Sequence, residues 1–276
     1  MKNVLVPLHD SDCLEAMLEA AALVAETFDS HIEGFRVRQD SNAILAADDL
    51  GAASPALLEN FDREEAERAR RARDLFDRFM RSRAQTGGTR ITASYVQANA
   101  SETDIGSHGR LFDLIVVGRP TRGRSSAPMG VLEAALFESG RPLLVVPPAA
   151  PQTLGRTIVI AWNGSTETAR TIAFAMPFLH RAERVVVLTI EGGTVAGPSG
   201  EEVVEKLLRH GLTVHALTAP AGRRSVGEAI LAETAALGAD LLVKGGYTQS
   251  RLRQMIFGGA TSHILAEAQL PVFMAH

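Results

Sequence analysis

The chain has 276 residues, 46% of them apolar and 22% charged, with a net charge of −4. That is enough apolar material for two ordinary domains or one large one, and acids and bases are too evenly mixed to form the basic face of a nucleic-acid binder. One cysteine, Cys13, excludes an internal disulfide framework, no apolar run approaches the ~20 residues that span a bilayer, and MKNVLVPLHD lacks the apolar core of a secretory leader; the expectation is a cytoplasmic chain that meets neither nucleic acid nor membrane.

Along the first half, strands are expected at 4–8, 31–37, 91–97, 114–118 and 143–146, alternating with helices over 12–28, 62–84, 102–109 and 128–138. Residues 38–62 read as a surface excursion that is mobile or partly helical. The charged helix after it carries an apolar stripe of Leu75, Phe76, Phe79 and Met80, with its arginines on a solvated face laced with Glu–Arg pairs. PPAAPQTLG, residues 147–155, reads as a linker. Beyond it, strands are expected at 157–161, 184–190, 213–218, 241–245 and 272–275, with helices over 166–179, 201–210, 225–238 and 253–268. The strands are near-continuous runs of Val, Ile and Leu, the pattern of strands buried on both faces of a parallel sheet.

The two halves echo each other. NVLVPLHDSD (3–12) matches TIVIAWNGST (157–166), FDLIVVGRPT (112–121) matches ADLLVKGGYT (239–248), and FESGRPLLVVP (137–147) matches AEAQLPVFMAH (266–276). Three blocks in the same order indicate a duplication. The fold expected is α/β, with two doubly wound domains over 1–148 and 156–276. Each has a five-stranded parallel sheet flanked by helices, with ligands at the carboxyl ends of the strands where strand order reverses.

The most informative stretch is GGYTQSRLRQMIFGGAT, residues 245–261. Gly245 and Gly246 end a strand, and Gly258 and Gly259 sit roughly one loop later, where the helix carrying His263 to Ala268 is established. The hydroxyl of Thr248 and the charges of Arg251 and Arg253 lie between. Glycines there let an anion approach backbone N–H groups at a helix start. They equally suit a tight strand-to-helix turn and close helix packing. Lys244, at the end of a buried strand, either reaches a phosphate, pairs with a carboxylate or reaches water.

The spacing Gly245-x2-Thr248-x9-Gly258-Gly259 resembles Gly-x2-Gly-x9-Gly-[Ser/Thr], the ATP-binding motif of the universal stress protein family. IVIAWNGSTETAR and LAEAQLPVFMAH look like that family's first strand and turn and its closing helix and strand. The second motif glycine is here Thr248, and the final hydroxyl residue is Gly259. Asn163 stands where ATP-binding members commonly carry Asp near the adenosine. The resemblance covers both halves and implies a tandem universal stress protein that binds ATP, with magnesium, mainly in the second half. Its expected contacts are Asn163, Gly245, Thr248, Gly258 and Gly259, with Arg251 and Arg253 as phosphate partners. In the first half GRPTRGRSSAPMG keeps Gly118 and Gly130 but has Val131 at the later glycine position, so its site reads as degenerate, although His9 and Asp10 follow its first strand.

Other chemistries find little support. There is no Gly-x-Ser-x-Gly elbow, no P-loop and no Gly-x-Gly-x-x-Gly after a first strand. Ser165 reads as a helix cap, Trp162 as packing, and Cys13 as a small core residue. His263 and Glu267 lack a third metal ligand. With no general base evident near the glycine loop, at most slow ATP hydrolysis is expected. The alternative function is a nucleotide-free scaffold. The last strand of each half, LLVVP and VFMA, suits a sheet edge that pairs across halves or across chains, as a homodimer would.

Overall fold

The computed structural model describes residues 1–38, 55–86, 91–99, 104–120, 128–246 and 259–276. In the first half, β1 (Asn3–Pro7), α1 (Leu14–Phe28), β2 (His31–Arg38), α2 (Pro55–Thr86), β3 (Thr92–Asn99), α3 (Asp104–Gly109), β4 (Leu114–Gly118), α4 (Met129–Glu138) and β5 (Leu143–Val146) follow one another. The second half runs β6 (Thr157–Ala161), α5 (Thr166–Leu179), β7 (Arg184–Ile190), α6 (Gly200–Leu208), β8 (Val214–Ala219), α7 (Val226–Ala236), β9 (Leu241–Gly245), α8 (Ala260–Glu267) and β10 (Val272–Ala275). Most elements fall within two residues of their expected bounds. The larger difference is α2, which begins at Pro55 rather than 62; proline's fixed φ and missing N–H suit a first helical turn. The expected helix over 253–268 is described from Ala260, because 247–258 lie outside the described residues.

The strands form one sheet in the order β3-β2-β1-β4-β5-β10-β9-β6-β7-β8. Pairing is parallel throughout each half. The halves meet where β10 runs antiparallel to β5, with Val272 opposite Val145 and Met274 opposite Leu143. The doubly wound pattern is therefore present twice, within a single continuous sheet, and strand order reverses between β1 and β4 and between β6 and β9.

Each repeated block has a structural reason. The shared Asp before the fourth strand of each half ties down the start of its first strand. Asp113 accepts from the backbone N–H of Lys2 at 2.6 Å and Asn3 at 3.0 Å. Asp240 accepts from Gly155, Arg156 and Thr157. The central strands are fully buried, so their apolar side chains feed a layer on either face. One layer gathers Met17, Phe76, Phe178 and Phe273; the other gathers Phe35, Ile115, Leu136 and Met274. Helix starts are satisfied by side chains where sequence places serine: Ser165 caps α5, and Ser199 and Ser225 form capping boxes with Glu202 and Glu228. Among the described residues no helix is long and apolar enough to cross a membrane.

Candidate functional site

The second half's site lies at the carboxyl ends of β6 and β9, where strand order reverses. After β6 the chain turns through Trp162 and Asn163 into α5. Trp162 is buried, and its indole N–H donates to the Pro198 carbonyl at 2.9 Å, which is the packing role. The Val195 N–H donates to the Asn163 carbonyl at 2.9 Å. These two bonds hold the 191–199 connection against the end of β6.

The Asn163 side-chain oxygen accepts from the Ser165 N–H at 3.2 Å and the Thr168 hydroxyl at 2.7 Å. It is engaged in the turn that starts α5, alongside the Ser165 cap on the Thr168 N–H. Gly245 faces the same helix start. A Cβ at Gly245 would lie 2.6 Å from the Thr168 nitrogen and 2.7 Å from its hydroxyl, so only glycine lets β9 pass under α5. Gly259 is different. It precedes α8 with φ 137°, a region favouring glycine, and a Cβ there would meet nothing within 4 Å. Among the described residues none crowds that position, and none caps α8 with a side chain.

Lys244 is the charged group of this edge. Its residue is 8% exposed, and its ammonium donates to the Gly245 carbonyl at 2.9 Å and the Thr261 hydroxyl at 2.7 Å. Both partners are neutral, and no carboxylate makes an ion pair with it among the described residues. Burial pushes its pKa down to about 8, with the Glu167 charge acting in the opposite direction. Lys244, Asn163, Trp162, Ile190, Val226 and Ala260 line a cavity of about 40 Å³ between the sheet and α7 and α8, enough for a few waters. Thus Asn163, Lys244, Gly245 and Gly259 meet at one edge. Thr248, Arg251, Arg253 and Gly258 lie outside the described residues.

At the corresponding edge of the first half, side chains of α2 reach the ends of β1 and β2. Arg36, at the end of β2, is 6% exposed and pairs with the buried Glu65 at 2.5 Å, while its other terminal nitrogen donates to the Leu8 carbonyl at 3.0 Å. Arg71 pairs with Asp10 at 2.9 Å. The arginines of α2 have the spacing of a solvated face. That holds for Arg68 with Glu64 and Arg73 with Asp77. Arg83 instead bridges to Glu19 and Glu26 of α1. The signal for Arg36 was an arginine inside the otherwise apolar strand GFRVR. Among the described residues no cluster of His, Cys, Asp or Glu is placed to hold a metal ion.

No protein-family model matches the sequence, and no curated protein matches it. Solved structures do share its fold. A universal stress protein from Archaeoglobus fulgidus DSM 4304 superposes with a TM-score of 0.71 at 15% identity, covering 99% of this chain and 97% of that one. A putative universal stress protein from Pseudomonas aeruginosa UCBPP-PA14 gives 0.54 at 15% identity, covering 100% and 93%. A functionally unknown protein from Pseudomonas aeruginosa PAO1 gives 0.54 at 15% identity, covering 100% and 92%. The chain therefore has, over its full length, the fold of universal stress protein structures.

Proposed function

We propose that the chain is a tandem universal stress protein, divided at 1–148 and 156–276, whose second half binds an adenine nucleotide, ATP, at the ends of β6 and β9. The observation that carries this reading is Lys244. Among the described residues this buried ammonium is held only by two neutral oxygens, and it lies at the strand-order reversal beside the start of α8, which no described side chain caps. A phosphate there gains the ammonium and the free N–H groups of a helix start. No described residue crowds Gly259. Magnesium would arrive on the nucleotide, and the chain's own contribution is to bind and orient the phosphates.

The test is calorimetric titration of ATP, with and without magnesium, into the wild-type chain and Lys244→Met. Binding near one site per chain, weakened roughly tenfold or more by the substitution, is the expected result. Equal affinity for both proteins would remove Lys244 from the site. No heat at millimolar ATP would remove the nucleotide.

A second reading is a nucleotide-free scaffold of the same fold. It is favoured by the 40 Å³ cavity, far below the ~300 Å³ at which small-molecule pockets begin, and by the internal bonds of the Asn163 side chain. On this reading mass spectrometry of the protein as purified finds no nucleotide, and addition of ATP leaves its thermal transition in place. On the first reading Trp162, which lines the cavity, changes its fluorescence with ATP.

A further inference from the structure

Among the described residues, five buried side-chain polar atoms have no hydrogen-bond partner, and four of them stand at one end of the first half: His9 Nε2, Ser11 Oγ, Arg36 Nε and Arg119 Nε. We propose that these four residues form a separate site for a small oxyanion, of the size and charge of inorganic phosphate, at the carboxyl ends of β2, β1 and β4.

The topology brings them together. Pro7 of β1 lies opposite Phe35 of β2, and the Leu8 N–H donates to the Phe35 carbonyl, so Arg36 stands beside the point where the chain leaves β1 for His9 and Ser11. The Arg36 guanidinium crosses that point to reach the Leu8 carbonyl at 3.0 Å. On the other flank β4 pairs with β1, and Arg119 is the residue after its end. The Cys13 thiol donates to the Arg119 carbonyl at 3.5 Å, which seats Arg119 against the same turn. The turn from His9 to Cys13 thus lies between Arg36 and Arg119, and the Arg119 charge acts on the Cys13 thiol. The turn also starts α1, fifteen residues long and without a side-chain cap; the Leu14 N–H bonds back to the Ser11 carbonyl, and the positive end of the helix points the same way.

The chemistry of the orphans selects the ligand. A guanidinium Nε–H only donates, and a hydroxyl donates readily. The His9 imidazole is kept neutral, since burial and then the Arg36 charge push its pKa down to about 4, and a neutral ring donates from one nitrogen. Buried donors left unmade are costly, and few are left so without an occupant. The charge balance agrees. Arg36 is offset by Glu65 and Arg71 by Asp10, whereas Arg119 has no ion pair among the described residues. Glu65 and Arg71 of α2 already engage Arg36 and Asp10 on the β2 side, which favours a compact anion over a larger ligand. Recognition here rests on side chains, unlike the glycine edge of the second half, so the site goes beyond the nucleotide reading and survives its failure.

The probe is inorganic phosphate, with AMP as the second arm. Titrations use the full chain in the wild-type and Lys244→Met backgrounds, the latter lacking the other proposed anion contact. Binding is followed by calorimetry and by the arginine Nε–H signals in proton–nitrogen correlation spectra. Saturable phosphate binding in both backgrounds, shifting two arginine signals, is expected. Arg119→Gln should weaken it roughly tenfold or more, and Ser11→Ala by a few fold. Should Arg119→Gln fail to fold, the Ser11→Ala titration and the wild-type arginine signals decide. Phosphate that leaves those signals unmoved, or binds Arg119→Gln as tightly as wild type, overturns the site. AMP competing with phosphate and binding far more tightly overturns the compact-anion assignment.

Discussion

Lys244 concentrates the energetics of the second half in one side chain. Its pKa falls from 10.5 to about 8 because burial disfavours the charge. Below pH 8 both folded and unfolded chains hold the proton, and the fold bears the full penalty, roughly 3 kcal/mol for a shift of this size. Between pH 8 and 10.5 the unfolded chain holds more protons, so this residue makes stability rise with pH. Urea denaturation at pH 7.5 and 9.5 should show that rise in the wild type relative to Lys244→Met, and the variant should be the more stable of the two at pH 7.5. If the variant is instead the less stable at pH 7.5, the ammonium is already compensated and the case for an absent anion falls. An anion at the site would restore the pKa, so nucleotide affinity should weaken as pH passes 8. The neighbouring glycines show how far sequence reading reaches at this scale. GGYTQSRLRQMIFGGAT allowed both a phosphate loop and tight packing. Gly245 has a packing reason, the close start of α5, whereas a Cβ at Gly259 would meet no described residue within 4 Å. Composition and spacing are the same for both uses of glycine; only the distance to a neighbour separates them.

At the scale of elements, strands were the most legible, because a strand buried on both faces must be written as an unbroken apolar run. The expected ranges 114–118, 143–146, 157–161, 184–190, 241–245 and 272–275 coincide with the strands formed. Helix α2 was less so. Its Glu and Arg residues have the spacing of a solvated surface, and nothing local marks Glu65 as buried; its partner Arg36 is 29 residues away in sequence. The pair joins α2 to the sheet, and breaking it from either side should be unequal to removing it whole. Glu65→Ala leaves a buried guanidinium with no counter-charge and should cost about 3–5 kcal/mol, whereas the double change Arg36→Met with Glu65→Leu should recover most of that. Thermal unfolding of the two single variants and the double variant closes the cycle. Additive losses would mean that α2 is held by packing alone through Ala72 and Phe76.

At the scale of the whole molecule, the duplication in sequence becomes continuity in structure. The matched blocks predict two similar units, and their separate strand orders agree. The last strands were expected to pair at an edge, and they do so with each other, which turns two five-stranded patterns into one ten-stranded sheet. The junction is more than backbone. Phe273 of β10 is fully buried and contacts Phe178 of α5 edge to face at 5.7 Å; Phe178 in turn contacts Phe28 of α1 at 4.9 Å. The Arg181 guanidinium lies over Phe28 at 5.3 Å. An aromatic chain therefore runs from the second half into the first through a shared apolar layer. Two units coupled in this way should unfold together. Phe273→Ala removes the ring nearest the seam and should cost about 3–5 kcal/mol. If the coupling is strong, hydrogen exchange will rise in β1 and β4 as well as in β6 and β9, and chemical denaturation will stay a single transition at a lower midpoint. Faster exchange confined to β6–β10, or a transition that splits in two, would show that the seam joins independently stable domains, with the aromatic contacts contributing little to cooperativity.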